Sequence, residues 1–291
     1  MKIKAFVPIL RQSFSDWNDD NAPRLGAALA FYTILSISPL VVLVIAIVSL
    51  VFDRSSAQAH LLDQVQSLMG VEGRTAVQSM LTSSGKASSG ILATLIGLAT
   101  LLFGASGVFG ELRSALNTIW DADPKIHSGI WGMLRERVFS FGMVFSVGFV
   151  LLVSLVASAG LAAVTKFFSG LVPFPPFMLA SVNFLVSFVG IAVLFSLILK
   201  YVPETPVDWS DVRIGAVATA LLFTIGKSLL GVYLGKASPG SAYGAAGSLV
   251  VLVIWVYYSA QIFFFGAEFT HVYAMTRRNE LKEADVRPGA V

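Results

Sequence analysis

Residues 241–271 read S-A-Y-G-A-A-G-S-L-V-V-L-V-I-W-V-Y-Y-S-A-Q-I-F-F-F-G-A-E-F-T-H. No charge interrupts this run before Glu268. It is therefore long enough to cross the ~30 Å hydrocarbon layer as a helix, which takes about 20 residues. The run is not uniformly apolar. Tyr257 and Gln261 are spaced i,i+4 and Glu268 follows seven residues later, so a helix carries all three on one stripe. An unsatisfied polar group in hydrocarbon costs several kcal/mol, so the stripe is expected to face other helices or a watered cavity.

The whole chain is built on the same plan. It is 56% hydrophobic and only 13% charged, against about 25% charged in soluble domains. Apolar runs near 26–52, 90–109, 139–165, 178–202, 212–235 and 245–270 are each long enough to span. The expected fold class is an all-α integral membrane protein, a bundle of six transmembrane helices with short interfacial amphipathic helices. Residues 1–25 read as a cytoplasmic interfacial segment, 26–271 as the membrane domain and 272–291 as a cytoplasmic tail.

With the N-terminus cytoplasmic, 14 of the 20 Lys and Arg residues fall on the inner side, five fall outside and Lys227 lies within a span. That bias predicts both termini in the cytoplasm. Cysteine is absent, which removes disulfides and thiol chemistry. The first apolar run exceeds a signal-peptide core and follows the acidic D-W-N-D-D, so it reads as a span.

Before the first span, Phe6, Val7, Leu10, Phe14 and Trp17 recur at helical spacing. This segment either lies along the inner interface or packs on the bundle. Pro39 sits mid-span after Tyr32, Thr33, Ser36 and Ser38, and predicts a kink or break near Leu35 to Pro39. Such a break is either a structural bend or one wall of a substrate site. The long outer loop 53–89 carries two amphipathic stripes around G-V-E-G, which predicts two short capping helices. Ser154, Ser158 and Ala162, and likewise Ala216 and Ala220, recur every four residues and allow close helix approach. Ser210 or Asp211 is expected to cap the helix of the fifth span.

Three ordered motifs resemble the YihY/BrkB family of bacterial inner-membrane proteins. They are A-L-A-F-Y-T-I-L-S-I-S-P-L at 28–40, L-R-S-A-L-N-T-I-W-D at 112–121, and Y-G-A-A-G-S, W-V-Y-Y-S and G-A-E within 241–271. The resemblance implies a multi-pass protein of the bacterial inner (cytoplasmic) membrane. Family members have been labelled ribonuclease BN, virulence or serum-resistance factors, and some are linked to moving lipidic envelope molecules.

The chemistry legible in the residues does not favour an enzyme. His60, His127 and His271 fall in different segments, and no H-E-x-x-H or comparable ligand spacing occurs. A basic groove with interleaved aromatics is also missing, so ribonuclease activity and a nucleic-acid partner are not expected. No catalytic residue, metal or cofactor is assigned, and no P-loop suggests nucleotide-driven transport.

Two candidate constellations remain. Tyr32, Ser36, Pro39, Lys227, Tyr257 and Gln261 are candidates for a substrate pathway. Lys227 lies ~12 Å from the outer end of its span, where it either snorkels outward or faces a cavity. At the inner mouth, Arg24, Glu111, Arg113, Asn117 and Glu268 are candidates for a gate or a structural staple, with Glu268 expected to pair with Arg113 or Arg24. The favoured function is transport or gating of an amphipathic envelope molecule such as an anionic lipid. Its partners would be membrane lipids, including an envelope lipid or lipopolysaccharide-type substrate. The alternative is a non-transporting scaffold of the envelope.

Overall fold

The computed structural model describes residues 6–48, 53–85, 107–122, 176–237, 243 and 247–286. Among these residues there are helices and no strands. The helices are α1 (Phe6–Asp19), α2 (Ala22–Val48), α3 (Arg54–Gly85), the described part of a helix over 107–119 (α4), α5 (Pro176–Tyr201), α6 (Trp209–Ala237) and α7 (Gly247–Val286). Three contain stretches long and apolar enough to cross a membrane: Phe184–Tyr201, Trp209–Leu234 and Gly247–Glu280. They coincide with the expected fourth, fifth and sixth spans. The first expected span falls within α2, which is helical from Ala22 to Val48. The third span, with Ser154, Ser158 and Ala162, lies outside the described residues, as does nearly all of the second.

The run at 241–271 becomes the hub of the bundle. α7 packs on α1, α2, α3 and α6, and its Phe263, Phe264 and Ala267 share one core with residues of α2, α4, α5 and α6. At 40 residues it would extend ~60 Å, twice the hydrocarbon thickness. The segment expected as a tail from 272 therefore continues as helix to Val286.

Apolar burial does little to join helices already in lipid; close van der Waals packing does more. α6 and α7 meet through a reciprocal pair of Gly-x-x-x-Thr motifs. A Cβ at Gly215 would overlap the Thr270 side chain, and one at Gly266 would overlap Thr219. Each Thr hydroxyl is turned back onto its own helix, Thr219 donating to Gly215 O and Thr270 to Gly266 O, both at 2.7 Å. These bonds satisfy the hydroxyls, whose oxygens still lie nearest the opposing glycines. Ala216 and Ala220, expected as a small-residue face, are buried beside it. On the opposite side of α6, Ile214, Val217, Leu221, Ile225, Leu229 and Val232 are exposed at helical spacing, the pattern of a lipid-facing stripe.

α3 is interrupted at Gly70, whose φ of 76° favours glycine, so the expected two helices form, as two arms within Arg54–Gly85. They are tied by Arg74 and Asp63 and seated on Val41 and Ile45 of α2. Asp53 begins the first arm by accepting Ser56 N–H at 2.9 Å. Hydrogen bonds from Ser55 and Ser56 hold its carboxyl below the usual range. On α1 the expected apolar stripe divides: Phe6, Val7 and Phe14 are exposed, while Ile9 and Ser13 are buried. Ile9 packs on Phe269 and Val272 of α7, so α1 shows apolar residues outward and seats its other face on the bundle.

The expected break at Pro39 does not occur, because α2 is helical from Ala22 to Val48. Thr33 and Ser36 bond back to Leu29 O (2.7 Å) and Thr33 O (3.1 Å) within that helix. The cap of α6 is Asp208 rather than Ser210 or Asp211: its carbonyl accepts the N–H groups of Asp211 and Val212, both at 3.0 Å. The Asp211 side chain is instead paired with Arg277 of α7 at 2.8 Å.

Candidate functional site

The polar stripe of α7 faces α2, as its burial requires. Tyr257, half-buried, packs on the cluster containing Ala30 of α2. One turn below, Gln261 Nε2 donates to Ala22 O at 3.3 Å. A Cβ at Gly26 would meet Gln261 Nε2, so a larger residue there would displace the Gln261 amide from its present position. Lower still, Glu268 is fully buried and lies within hydrogen-bond reach of Asp20, in the turn that joins α1 to α2. The antiparallel run of α2 past α7 thus carries the stripe down to that turn.

Local sequence makes the turn. Asn21 adopts φ 53°, a left-handed conformation that Asn tolerates better than most residues. Its side chain donates to Asp19 O at 3.1 Å, and its carbonyl accepts Arg24 N–H at 2.8 Å to start α2. Asp20 closes α1 through its N–H on Asp16 O at 2.8 Å. Above all, burial raises the Asp20 carboxyl from its ordinary value of 3.8. The hydrogen bond with Glu268 opposes that rise, and the charges of Asp121 and Asp16 add to it.

Neither Glu268 oxygen has a hydrogen-bond donor, and His271 Nε2, one turn further along α7, is buried without a partner. The imidazole lies 5.1 Å from the Trp120 ring at the end of α4. The three titratable groups do not form a metal centre: among the described residues no group of three His, Asp or Glu is placed to hold a metal ion.

The inner-mouth residues divide between two places. Glu268 makes no ion pair with Arg113 or Arg24. Arg113 pairs with Glu204 at 2.8 Å, and Asn117 Oδ1 accepts Glu204 N–H at 2.9 Å. Two side chains one helical turn apart on α4 therefore clamp one residue of the α5–α6 connection, which leaves Arg113 committed away from Glu268. Glu111 is half-buried and Arg24 exposed, and neither joins the pair. Arg278 reaches Asp208 at 3.5 Å. Together with Arg277–Asp211, this ties the projecting end of α7 to the start of α6. Glu204 and Asp20 sit in loops or turns and Asp211 in the first turn of α6, where sequence periodicity offers no signal for a tertiary partner.

The pathway candidates are likewise separated. Tyr32 packs its ring over Gly107 at the start of α4, and Ser36 is buried and internally bonded. Pro39 lies in α2, above them. Lys227 is half-buried on α6 and has no hydrogen bond or ion pair among the described residues. Gly226 meets Ile262, so Lys227 is level with Gln261 rather than with Tyr257 and Tyr258. A small groove of about 220 Å³ runs along α7 beside Gln261, lined by Phe14 and Trp17 of α1, Leu222 of α6, and Ile262 and Phe265. Trp17 Nε1 and Gln261 Oε1 are buried without partners.

Residues 13–288 match the family described as Virulence factor BrkB. The chain belongs to the BrkB family. Its relatives include UPF0761 membrane proteins from Vibrio vulnificus strain YJ016, Verminephrobacter eiseniae and Alteromonas mediterranea. The Vibrio protein is 27% identical, over 92% of this chain and 83% of its own length. The Verminephrobacter protein is 28% identical, over 92% of this chain and 61% of its own. For Alteromonas the values are 29%, 92% and 91%. No solved structure matches. This BrkB-family chain is thus a membrane protein, and the L-R-S-A-L-N motif at 112–117 supplies both arms of the clamp on Glu204.

Proposed function

We propose that this BrkB-family protein has six spans with both termini in the cytoplasm of a bacterial inner membrane. On this reading it moves or gates an amphipathic anion, such as an acidic envelope lipid, and performs no catalytic step. The observation that supports the reading is Lys227. It is half-buried in the apolar helix α6, on the stripe of Phe223, Leu230 and Leu234, and those three pack toward α7. A lysine at a span centre costs ~2.5–3.5 kcal/mol, less nearer the interface, and no carboxylate pairs with it among the described residues. A phosphate-bearing head group would supply the missing charge while acyl chains stay in hydrocarbon.

The test is a leaflet-exchange assay in proteoliposomes with fluorescent phosphatidylglycerol. Lys227→Leu is expected to fold and to lose exchange, and Lys227→Arg to retain part of it. A folded Lys227→Leu protein with undiminished exchange reduces Lys227 to a snorkelling side chain. Absence of exchange in the unmodified protein favours the scaffold reading.

A further inference from the structure

The α1–α2 turn and the middle of α7 place two carboxyl groups against each other, and among the described residues no cation pairs with either. Asp20 and Glu268 lie within mutual hydrogen-bond reach. A hydrogen bond between two carboxyl groups needs a proton on one of them, because ionised carboxylates only accept. Two like charges at such separation do not both persist away from water. Glu268 is fully buried, and among the described residues no N–H or O–H donor reaches either of its oxygens.

The surroundings reinforce this. Asp16 and Asp121 face the pair from α1 and from the end of α4. His271, one turn along α7 from Glu268, is a titratable base that is buried, with Nε2 unpartnered among the described residues. Arg278 acts on His271 but is drawn to Asp208. Of the two Arg residues expected to pair with Glu268, Arg113 is engaged by Glu204 and Arg24 is exposed.

We propose that Asp20 and Glu268 form a proton-binding site, with His271 as the adjacent proton acceptor, and that the bound proton holds the α1–α2 turn against α7. When the proton leaves, like charges face each other across that contact and the turn is driven outward. The site does not depend on what the protein carries. It would make the inner face respond to cytoplasmic pH whether the protein transports or scaffolds.

Infrared spectroscopy of the full-length protein in nanodiscs tests this directly. At neutral pH the unmodified protein is expected to show the carbonyl stretch of a protonated carboxyl, shifted in D2O. The band should vanish in both Glu268→Gln and Asp20→Asn and survive in Glu204→Gln, whose parent carboxylate is paired with Arg113. Absence of the band from the unmodified protein overturns the site without requiring any variant to fold. A band that survives both substitutions overturns it as well.

Hydrogen exchange reads the mechanical half. A carboxyl raised in the folded state favours folding fully below its ordinary value and gives that up as pH climbs through the folded value. Protection of residues 16–25, corrected for intrinsic exchange, should therefore fall as pH rises in the unmodified protein and stay level in Glu268→Gln. Equal profiles in the two proteins refute the coupling.

Discussion

Gly266→Ala tests the α6–α7 seam. The added methyl would sit 2.6 Å from Thr219 Cγ2 and 2.8 Å from its Cβ, against ~3.5–4.0 Å for carbon atoms in contact. Thr219 has little room to turn away, because β-branching restricts its rotamers in a helix and its hydroxyl is held by Gly215 O at 2.7 Å. Overpacking of this kind costs about 1–3 kcal/mol. The intrinsic helix preference of Ala over Gly returns up to about 1 kcal/mol, which leaves a net loss of ~1–2 kcal/mol. Thr219→Ala removes two of the three overlapping atoms and leaves only the Cβ, at 2.8 Å, so a smaller shift remains to be made. The double variant should therefore lie close to Thr219→Ala alone, with a favourable coupling of ~1 kcal/mol between the sites. Unfolding of detergent-solubilised protein in SDS, followed by far-ultraviolet circular dichroism, measures all four corners of the cycle. A Gly266→Ala protein as stable as its parent, or losses that simply add, would refute the interlock.

Arg113→Glu should destabilise the inner face by ~1–3 kcal/mol, the range for a hydrogen bond to a charged group. Arg113→Glu combined with Glu204→Arg should recover part of it in the same assay, whereas recovery by Glu268→Arg instead would contradict the observed pairing. Reporter fusions within 53–89 should read outside and fusions after Arg287 cytoplasm; the opposite reading at either site breaks the six-span topology.

Much of this architecture can be read from the residues one at a time. Run length and the absence of charge identify the helices that coincide with α5, α6 and α7, because hydrocarbon thickness imposes a length on any spanning helix. The stripe Tyr257, Gln261 and Glu268 is legible as inward-facing because desolvation penalises polar groups wherever they lie along the helix. Partner choice is another matter. Glu268 and Arg113 belong to neighbouring helix ends, so a charge pair between them satisfies every rule of local pattern. Yet Arg113 and Asn117 close on Glu204 because the α5–α6 connection folds beneath α4. Glu268 meets Asp20 because a left-handed Asn21 turns the chain back at that height. The Gly-Thr interlock was equally hidden: Gly215 and Thr270 are far apart in sequence, and only the register of α6 on α7 makes them complementary. Composition and periodicity are summed along the chain and survive without tertiary structure. Ion pairs and close packing depend on ångström-scale register between helices, and only the folded bundle decides that.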